Sequence, residues 1–409
     1  MISDGPYRCV GKNPLSSLER KANELRLEIS KVFNKNLQFK LRISNPQVPK
    51  LYALPKIHKE GNKMRPIVSN INSPLENISK WLVDEFNQLP RFPCFEIKNS
   101  FELVKKLENV ELQDNEILVS FDVSALFPSV PIGKTLEILK NWLIESQVSR
   151  EKVSLLVRAT SLCMKESYFQ FGDKFYQQTD GTSMGNSLSP FIASIFMSHF
   201  EISLRENVNF PRFWVRYVDD ICAIIKKQQL RSVLKLLNSQ YESIIFTHEE
   251  EINGRLPFLD LELIRNETKI DFSIYRKSTT TDRFITSDSY HPKQHKLAAF
   301  HSMIHRLENI PLSETYYEKE KAKIIEIAAI NGFDRKIIEK IINTAKRKKV
   351  KSDITTLTPI SENNLKWFKL SFHDGLSEKL ANQFRKFNIK LIPCSNTKMS
   401  TFSQTTKIR

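Results

Sequence analysis

No Cys-x-x-Cys pair occurs anywhere in the sequence. The five cysteines, Cys9, Cys94, Cys163, Cys222 and Cys394, are scattered over 409 residues. That distribution argues against a zinc ribbon and a disulfide framework, and it fits reducing surroundings. No apolar run reaches membrane-spanning length and no charged-then-apolar leader opens the chain. A soluble protein of an intracellular compartment, with no membrane partner, is therefore expected. Internal repeats are missing too.

What is present is a real core and an excess of positive charge. Hydrophobic residues make up 40% of a chain long enough for two or three domains. Lys and Arg number 62 against 46 acids, a formal net charge of +16. Each cation set near a phosphate releases a condensed counterion, so an excess of this size favours a polyanion, with nucleic acid as the leading partner. A solvated, Lys-rich surface is the competing reading.

Residues 16–33 carry Leu18, Ala22, Leu25, Ile29 and Val32 at helical spacing, and Ser16 with Glu19 reads as a capping box. Residues 51–69 alternate short apolar stretches with Pro and Lys around Gly61-Asn62, which reads as a basic β-hairpin. Segments 78–89, 100–110 and 132–165 look helical, while 116–127 begins as a buried strand that delivers Asp122 at its C-terminal end. Two aromatic-rich strands flank Gly172-Asp173, a two-residue hairpin loop. A helix over 187–206 has Pro190 in its first turn, where a missing N–H costs little. An amphipathic helix over 228–241 and a second hairpin over 256–277, turning at Asn266 to Thr268, follow. From 293 onward the pattern is helical. The turn Asn331-Gly332-Phe333 gives a helix-turn-helix outline, and the last helix ends in Lys346, Arg347, Lys348 and Lys349. Those cations either contact nucleic acid or complement a helix C-terminus. Beyond them a small strand–helix–strand pattern is expected, with a polar end that reads as disordered. Helices and hairpins on one core make the fold class α+β.

The stretch RYVDDICAII, from Arg216 to Ile225, sets two acids side by side in an apolar run. Strand side chains alternate faces, so Asp219 and Asp220 share one locale only if the backbone turns between them, which implies a hairpin tip. Unpaired carboxylates in such surroundings are costly without a compensating cation, and a metal site is the simplest answer. An exposed Asp-bearing turn is the alternative. Together with Asp122 these acids suit two Mg²⁺ ions, with Mn²⁺ as a substitute, which could activate a 3′ hydroxyl and stabilise a leaving pyrophosphate. Three acids serve nucleotidyl transfer and phosphodiester hydrolysis equally. His291 with His295, and His301 with His305, are spaced i, i+4. No Cys or acid completes a tetrahedral set, so they read as polar helix residues or phosphate contacts rather than zinc ligands.

Several stretches in order carry a family likeness: LYALPKIHK with MRPIVS, FDVSALFPSVP, QTDGTSMGNSLSP, RYVDD, and LPFLDLEL followed by YRKSTTTDRF and SYHPKQHK. Over roughly residues 50–390 they resemble the reverse transcriptases of Penelope-like retroelements, which are related to telomerase. The resemblance implies a right-hand polymerase, with fingers and an antiparallel palm sheet, followed by an all-helical basic thumb-like region and a small α/β tail. It implies that Lys56 and Arg65 on the fingers hairpin face the triphosphate, where cations offset developing charge. Surface cations are the alternative reading of both. Asp122 and Asp219 become the main metal ligands, with Asp220 supporting them. Phe127 falls where the family places an aromatic steric gate against a 2′-OH, so deoxynucleotides are preferred; ordinary core is its alternative. Gly181 and Gly185 would let the backbone approach the template–primer, with turn geometry as the competing explanation. Met184 stands where many reverse transcriptases have Gln, as is common in the Penelope-like group, and Tyr217 joins the substrate-contacting set. FPSVP departs from the FTNVP more frequent in that group.

The resulting expectation is an RNA-directed DNA polymerase that takes an RNA template, a DNA primer and deoxynucleoside triphosphates. Its expected layout is an N-terminal helical extension at 1–49, fingers and palm at 50–277, a helical thumb-like or helix-turn-helix region at 278–350 and a strand–helix–strand segment at 351–409. The GIY-YIG endonuclease that often ends such proteins is not seen, so nicking is expected to come from another protein. Nuclear action is expected in a eukaryotic host, with KRKKVK at 346–351 as a candidate signal. Oligomeric state is left open. One rival is a non-catalytic nucleic-acid-binding relic, against which the intact acids count. The other is an acid-triad nuclease, against which DGTSMGNSLSP and the YVDD hairpin count.

Overall fold

Residues 5–55, 64–354, 366–373 and 375–394 are described by the structure, a computed structural model, in which the chain divides into units Met1–Ile270 and Asp271–Arg409. In the first unit, strand β1 (Tyr7–Val10) leads to helix α1 (Leu15–Val32), where Leu18, Ala22, Leu25 and Ile29 are all buried as their spacing requires. The helix does not begin with a Ser16 capping box. Pro14 stands at the N-cap, and Asn13 Oδ1 accepts the Leu15 N–H at 2.9 Å. The helix starts one residue before the serine, so its first free N–H, that of Leu15, is met by the Asn13 side chain.

A single turn, α2 (Leu37–Lys40), precedes the antiparallel hairpin of β2 (Lys50–Pro55) and β3 (Met64–Ser69). Lys56 and the Gly61-Asn62 connection lie outside the described residues. Helices α3 (Glu76–Asn87) and α4 (Ser100–Leu107) come next, then strand β4 (Glu116–Val123) and the short helix α5 (Leu126–Ser129). Helices α6 (Ile132–Glu145) and α7 (Arg150–Lys165) lead to a hairpin of β5 (Tyr168–Phe171) and β6 (Lys174–Gln178), which turns through Gly172 at φ +59°. Helix α8 (Ser189–Leu204) keeps Pro190 in its first turn. Strands β7 (Phe213–Tyr217) and β8 (Asp220–Lys226), helix α9 (Leu230–Asn238) and strand β9 (Phe246–Glu250) follow.

Two sheets organise these elements, one in the order β1-β6-β5-β2-β3 and an antiparallel one in the order β7-β8-β4-β9. The N-terminal strand belongs to the first, with Tyr7 opposite Gln178. One continuous core joins Leu18 and Ile29 to Ile78, Val119, Leu139 and Phe196, so the N-terminal helix is part of this unit. Cys163 and Cys222 are buried, and burial pushes both thiols up to about 12. The single hairpin expected over 256–277 is three strands instead: β10 (Arg255–Phe258), β11 (Leu261–Asn266) and β12 (Lys269–Ile274). The extra turn is the two-residue loop Leu259-Asp260, in which Leu259 takes φ +56° and Asp260 is the one turn-favouring residue.

The second unit holds helices α10 (Lys293–Asn309), α11 (Glu314–Ile330) and α12 (Arg335–Ile354), packed through Leu297, Phe300, Ile304, Ile327 and Ile338. Buried Asn331 ends α11. Its Oδ1 accepts the Phe284 N–H at 2.8 Å, and its Nδ2 donates to the carbonyls of Asp282 (2.9 Å) and Ile327 (2.8 Å). Strand β13 (Lys366–Ser371), helix α13 (Leu376–Arg385) and strand β14 (Ile389–Cys394) form a parallel strand–helix–strand unit. The class is α+β. Among the described residues no helix is long and apolar enough to cross a membrane.

Candidate active site

The apolar register of β4 against β8 sets Asp122 directly opposite Asp220. Directly opposed residues of an antiparallel pair carry their side chains to the same face. The β7–β8 hairpin sets Tyr217 opposite Asp220, so its two-residue loop is Val218-Asp219 and not the acid pair expected at the tip. The Val123 N–H donates to the Asp219 carbonyl at 3.3 Å, which ties that loop to the end of β4. Asp122 and Asp219 are half-buried and Asp220 is exposed, so one corner of the sheet gathers all three acids.

Val218 occupies the left-handed region at φ +61°, which is unfavourable for a β-branched residue. Behind it lies a network that the sequence did not disclose. Arg216, 0% exposed, donates from Nε to Glu201 Oε1 (2.7 Å), from Nη2 to Ser198 Oγ (3.1 Å) and from Nη1 to the Val218 carbonyl (3.1 Å). Burial pushes the Glu201 carboxyl up, and the adjacent Arg216 guanidinium opposes that shift. A lone Arg inside an apolar strand was the one available signal.

A second wall comes from the segment around DGTSMGNSLSP. The Thr182 N–H donates to the Phe127 carbonyl (2.7 Å) and the Val68 N–H donates to the Met184 carbonyl (2.8 Å), which lays this segment between α5 and β3. Gly181 (φ +66°) and Gly185 (φ +117°) are forced by that fit: a Cβ on them would lie 2.1 Å from the Pro128 carbonyl oxygen and 2.2 Å from that of Val68. The close approach they permit here is to the chain's own backbone. A cavity of about 220 Å³ brings Arg65, Val68, Ala125, Pro128, Thr182 and Met184 together. Arg65 is exposed, Met184 is half-buried, and Tyr217 is 38% exposed beside the acids. Phe127 is half-buried against the main core.

Among the described residues no three His, Cys, Asp or Glu side chains form a ready-made metal cage. His291 Nδ1 pairs with Ser289 Oγ at 2.7 Å, while His295, His301 and His305 are exposed.

An antiparallel sheet with carboxylates at a strand end and an adjoining hairpin, beside a second sheet that carries the β2–β3 hairpin, is the arrangement of the right-hand polymerase fold. Residues 57–247 match the family model described as reverse transcriptase (RNA-dependent DNA polymerase). Residues 283–343 match the animal helix-turn-helix domain. The chain thus carries a segment that matches the reverse-transcriptase family, followed by one that matches a helix-turn-helix domain.

Among solved structures the chain is similar to telomerase from Candida albicans in complex with a TWJ fragment of telomeric RNA, at 11% identity over 78% of this chain and 67% of that one, with a TM-score of 0.45. It is similar to telomerase from Candida tropicalis in complex with such a fragment, at 12% identity over 76% and 55%, with a TM-score of 0.45. A third is the Sicinivirus 3Dpol RNA-dependent RNA polymerase, at 13% identity over 79% and 70%, with a TM-score of 0.48. The chain spans between 55% and 67% of the length of these telomerase chains. No curated protein matches it.

Proposed function

We propose that this protein copies RNA into DNA by extending a primer 3′ end, as the reverse transcriptase of a Penelope-like retroelement. The observation that carries the reading is Asp122 opposite Asp220, with Asp219 in the adjoining loop, inside the segment that matches the reverse-transcriptase family. Like charges directly opposed across a sheet are destabilising, so the pair calls for a reason other than stability.

The donor set fits Mg²⁺. It offers only carboxylate oxygens, in an open corner, and Mg²⁺ is held through one or two carboxylates plus substrate phosphates, so a complete protein cage is not required. Asp122 and Asp219 would hold the ions, with Asp220 supporting, and the bound ions would supply activation of the 3′ hydroxyl and stabilisation of the leaving pyrophosphate. Arg65, at the cavity it shares with Met184 and Ala125, receives the triphosphate. Lys56 is the second cation assigned by the family resemblance. Phe127 excludes a 2′-OH, and Tyr217 contacts the substrate beside the acids. An RNA template, a DNA primer and deoxynucleoside triphosphates are the partners. Nuclear action follows in a eukaryotic host.

The second unit adds nucleic-acid contact through the end of α12, where Arg347 is exposed. Its neighbours are partly engaged locally. Lys346 Nζ lies 4.9 Å from the Tyr317 ring centroid, and Lys349 Nζ donates to the Glu308 carbonyl at the end of α10.

Primer extension on poly(rA)–oligo(dT) with Mg²⁺, comparing wild type with Asp219→Ala, tests the proposal. Extension that vanishes in the variant is expected. Tight template–primer binding without extension by wild type would overturn it in favour of a nucleic-acid-binding relic, and cleavage products in Mg²⁺ would favour a nuclease.

A further inference from the structure

The largest fully buried side chain among the described residues is a cation, Arg216. We infer that Arg216, clamped by Glu201 and Ser198 of α8, is the positioning residue that holds the Val218-Asp219 loop in its left-handed turn and thereby fixes Asp219 and Asp220 against Asp122. The consequence for DNA synthesis rests on the polymerase reading above; the loop-holding role does not.

The loop needs a tether. A left-handed valine crowds its Cβ against the following carbonyl, so an unrestrained loop would relax toward negative φ and carry the next two residues with it. The contact that opposes this is the Arg216 Nη1 donation to the Val218 carbonyl at 3.1 Å. Its other end cannot drift. Glu201, 0% exposed, accepts from Arg216 Nε at 2.7 Å and from Trp214 Nε1 at 3.0 Å, and Ser198 Oγ accepts from Nη2. The Arg216 backbone is fixed as well, since its N–H donates to the Phe95 carbonyl (3.0 Å) and its carbonyl accepts the Ile97 N–H (2.8 Å).

A buried ion pair is a poor device for stability, because an apolar pair of similar volume often serves as well. Glu201 Oε2 has no hydrogen-bond partner, so this pair is not even fully satisfied. What the guanidinium supplies that an apolar residue cannot is a planar fork reaching Glu201, Ser198 and a loop carbonyl together. A lysine ammonium at the same place lacks that fork.

Removing Arg216 alone would strand the Glu201 charge and threaten folding, so the test uses Arg216→Met with Glu201→Gln, which preserves an acceptor for Trp214. Amide hydrogen exchange, template–primer affinity, and kcat and KM for dTTP on poly(rA)–oligo(dT) are compared with wild type. The double variant is expected to fold and to bind template–primer like wild type. Exchange at 218–220, and at Val123, whose N–H the loop accepts, should be faster with the β4 amides at 117–121 unchanged, and kcat should fall about tenfold or more with KM little altered. Adding Val218→Gly removes the left-handed penalty and should recover most of the lost kcat, a rescue that a general stability role would not give. Wild-type exchange at 218–220, a wild-type kcat, or a loss that Val218→Gly does not recover would overturn the inference. Faster exchange in a protein whose wild type extends no primer would overturn the polymerase reading alone.

Discussion

Gly181→Ala should damage the first unit far more than a single methyl ordinarily does. The added Cβ would lie 2.1 Å from the Pro128 carbonyl oxygen, 2.2 Å from its carbon and 2.4 Å from its Cα, where ordinary contacts begin near 3.4 Å. All three atoms are backbone, so no side chain can swing aside, and α5 itself must retreat. A forced shift of this kind costs about 1–3 kcal/mol. The left-handed φ of +66° adds about 1–2 kcal/mol for a residue with a Cβ. The sum, about 2–5 kcal/mol, corresponds to a Tm fall of at least about 4 °C for a unit of this size. Gly172→Ala is the control, since Gly172 has a similar φ of +59° but nothing within 4 Å of its Cβ position. Thermal unfolding of both variants separates the clash from the backbone term. Because Ala125 and Pro128 line the cavity with Arg65, Gly181→Ala should also lower kcat/KM for the incoming nucleotide at temperatures where it stays folded. Equal unfolding temperatures for the two variants would refute the close packing of α5 on this segment.

Phe127→Val should raise incorporation of ribonucleotides relative to deoxynucleotides by about tenfold in competition assays; an unchanged ratio would return Phe127 to a purely core role. Arg212 donates to both Glu116 carboxylate oxygens (2.6 and 2.7 Å), and that hydrogen bonding, with a further one from the Gln113 N–H, holds the Glu116 carboxyl below its ordinary value. A depressed carboxyl contributes stability above its unfolded value of about 4.3 and loses it as pH falls through the lower folded value. Arg212→Gln should therefore lower stability at pH 7, by no more than about 1 kcal/mol given the exposure of Arg212, and flatten the acid limb of a stability–pH curve. An acid limb as steep as that of wild type would count against this pairing. Asn331→Ala strands the Phe284 N–H and the Asp282 carbonyl, while the Ile327 carbonyl keeps the backbone N–H of residue 331, and it should cost the second unit about 2–4 kcal/mol in urea unfolding; a change under about 0.5 kcal/mol would mean the loop is held otherwise.

Apolar pattern was enough to read α1, which buries one face, and α8 and the strand that carries Asp122, which are buried on nearly every side. The features that escaped are those set by distant partners. β1 pairs with β6 far along the chain, and nothing local in its four residues marks it. The hairpin loop was placed one residue late because valine is not a turn residue. Its conformation is tied to an arginine two residues upstream and a glutamate on another helix, contacts invisible to any window of sequence. In the same way, the reading of Gly181 and Gly185 as room for a template–primer left out the nearer neighbours, the backbones of Pro128 and Val68. Motif order conveyed the family; it did not convey which atoms each motif leans on.

Cys222 sits in β8 between Ser120 of β4 and Val215 of β7, two residues from Asp220. Its thiol, pushed up to about 12, is nearly all protonated at neutral pH and is sealed inside the sheet. Alkylating reagents meet exposed Cys9 at once, but they reach Cys222 only when strands part. The strand that carries Asp220 thus contains a native clock: the labelling rate of Cys222 measures how often this sheet opens, with no probe introduced.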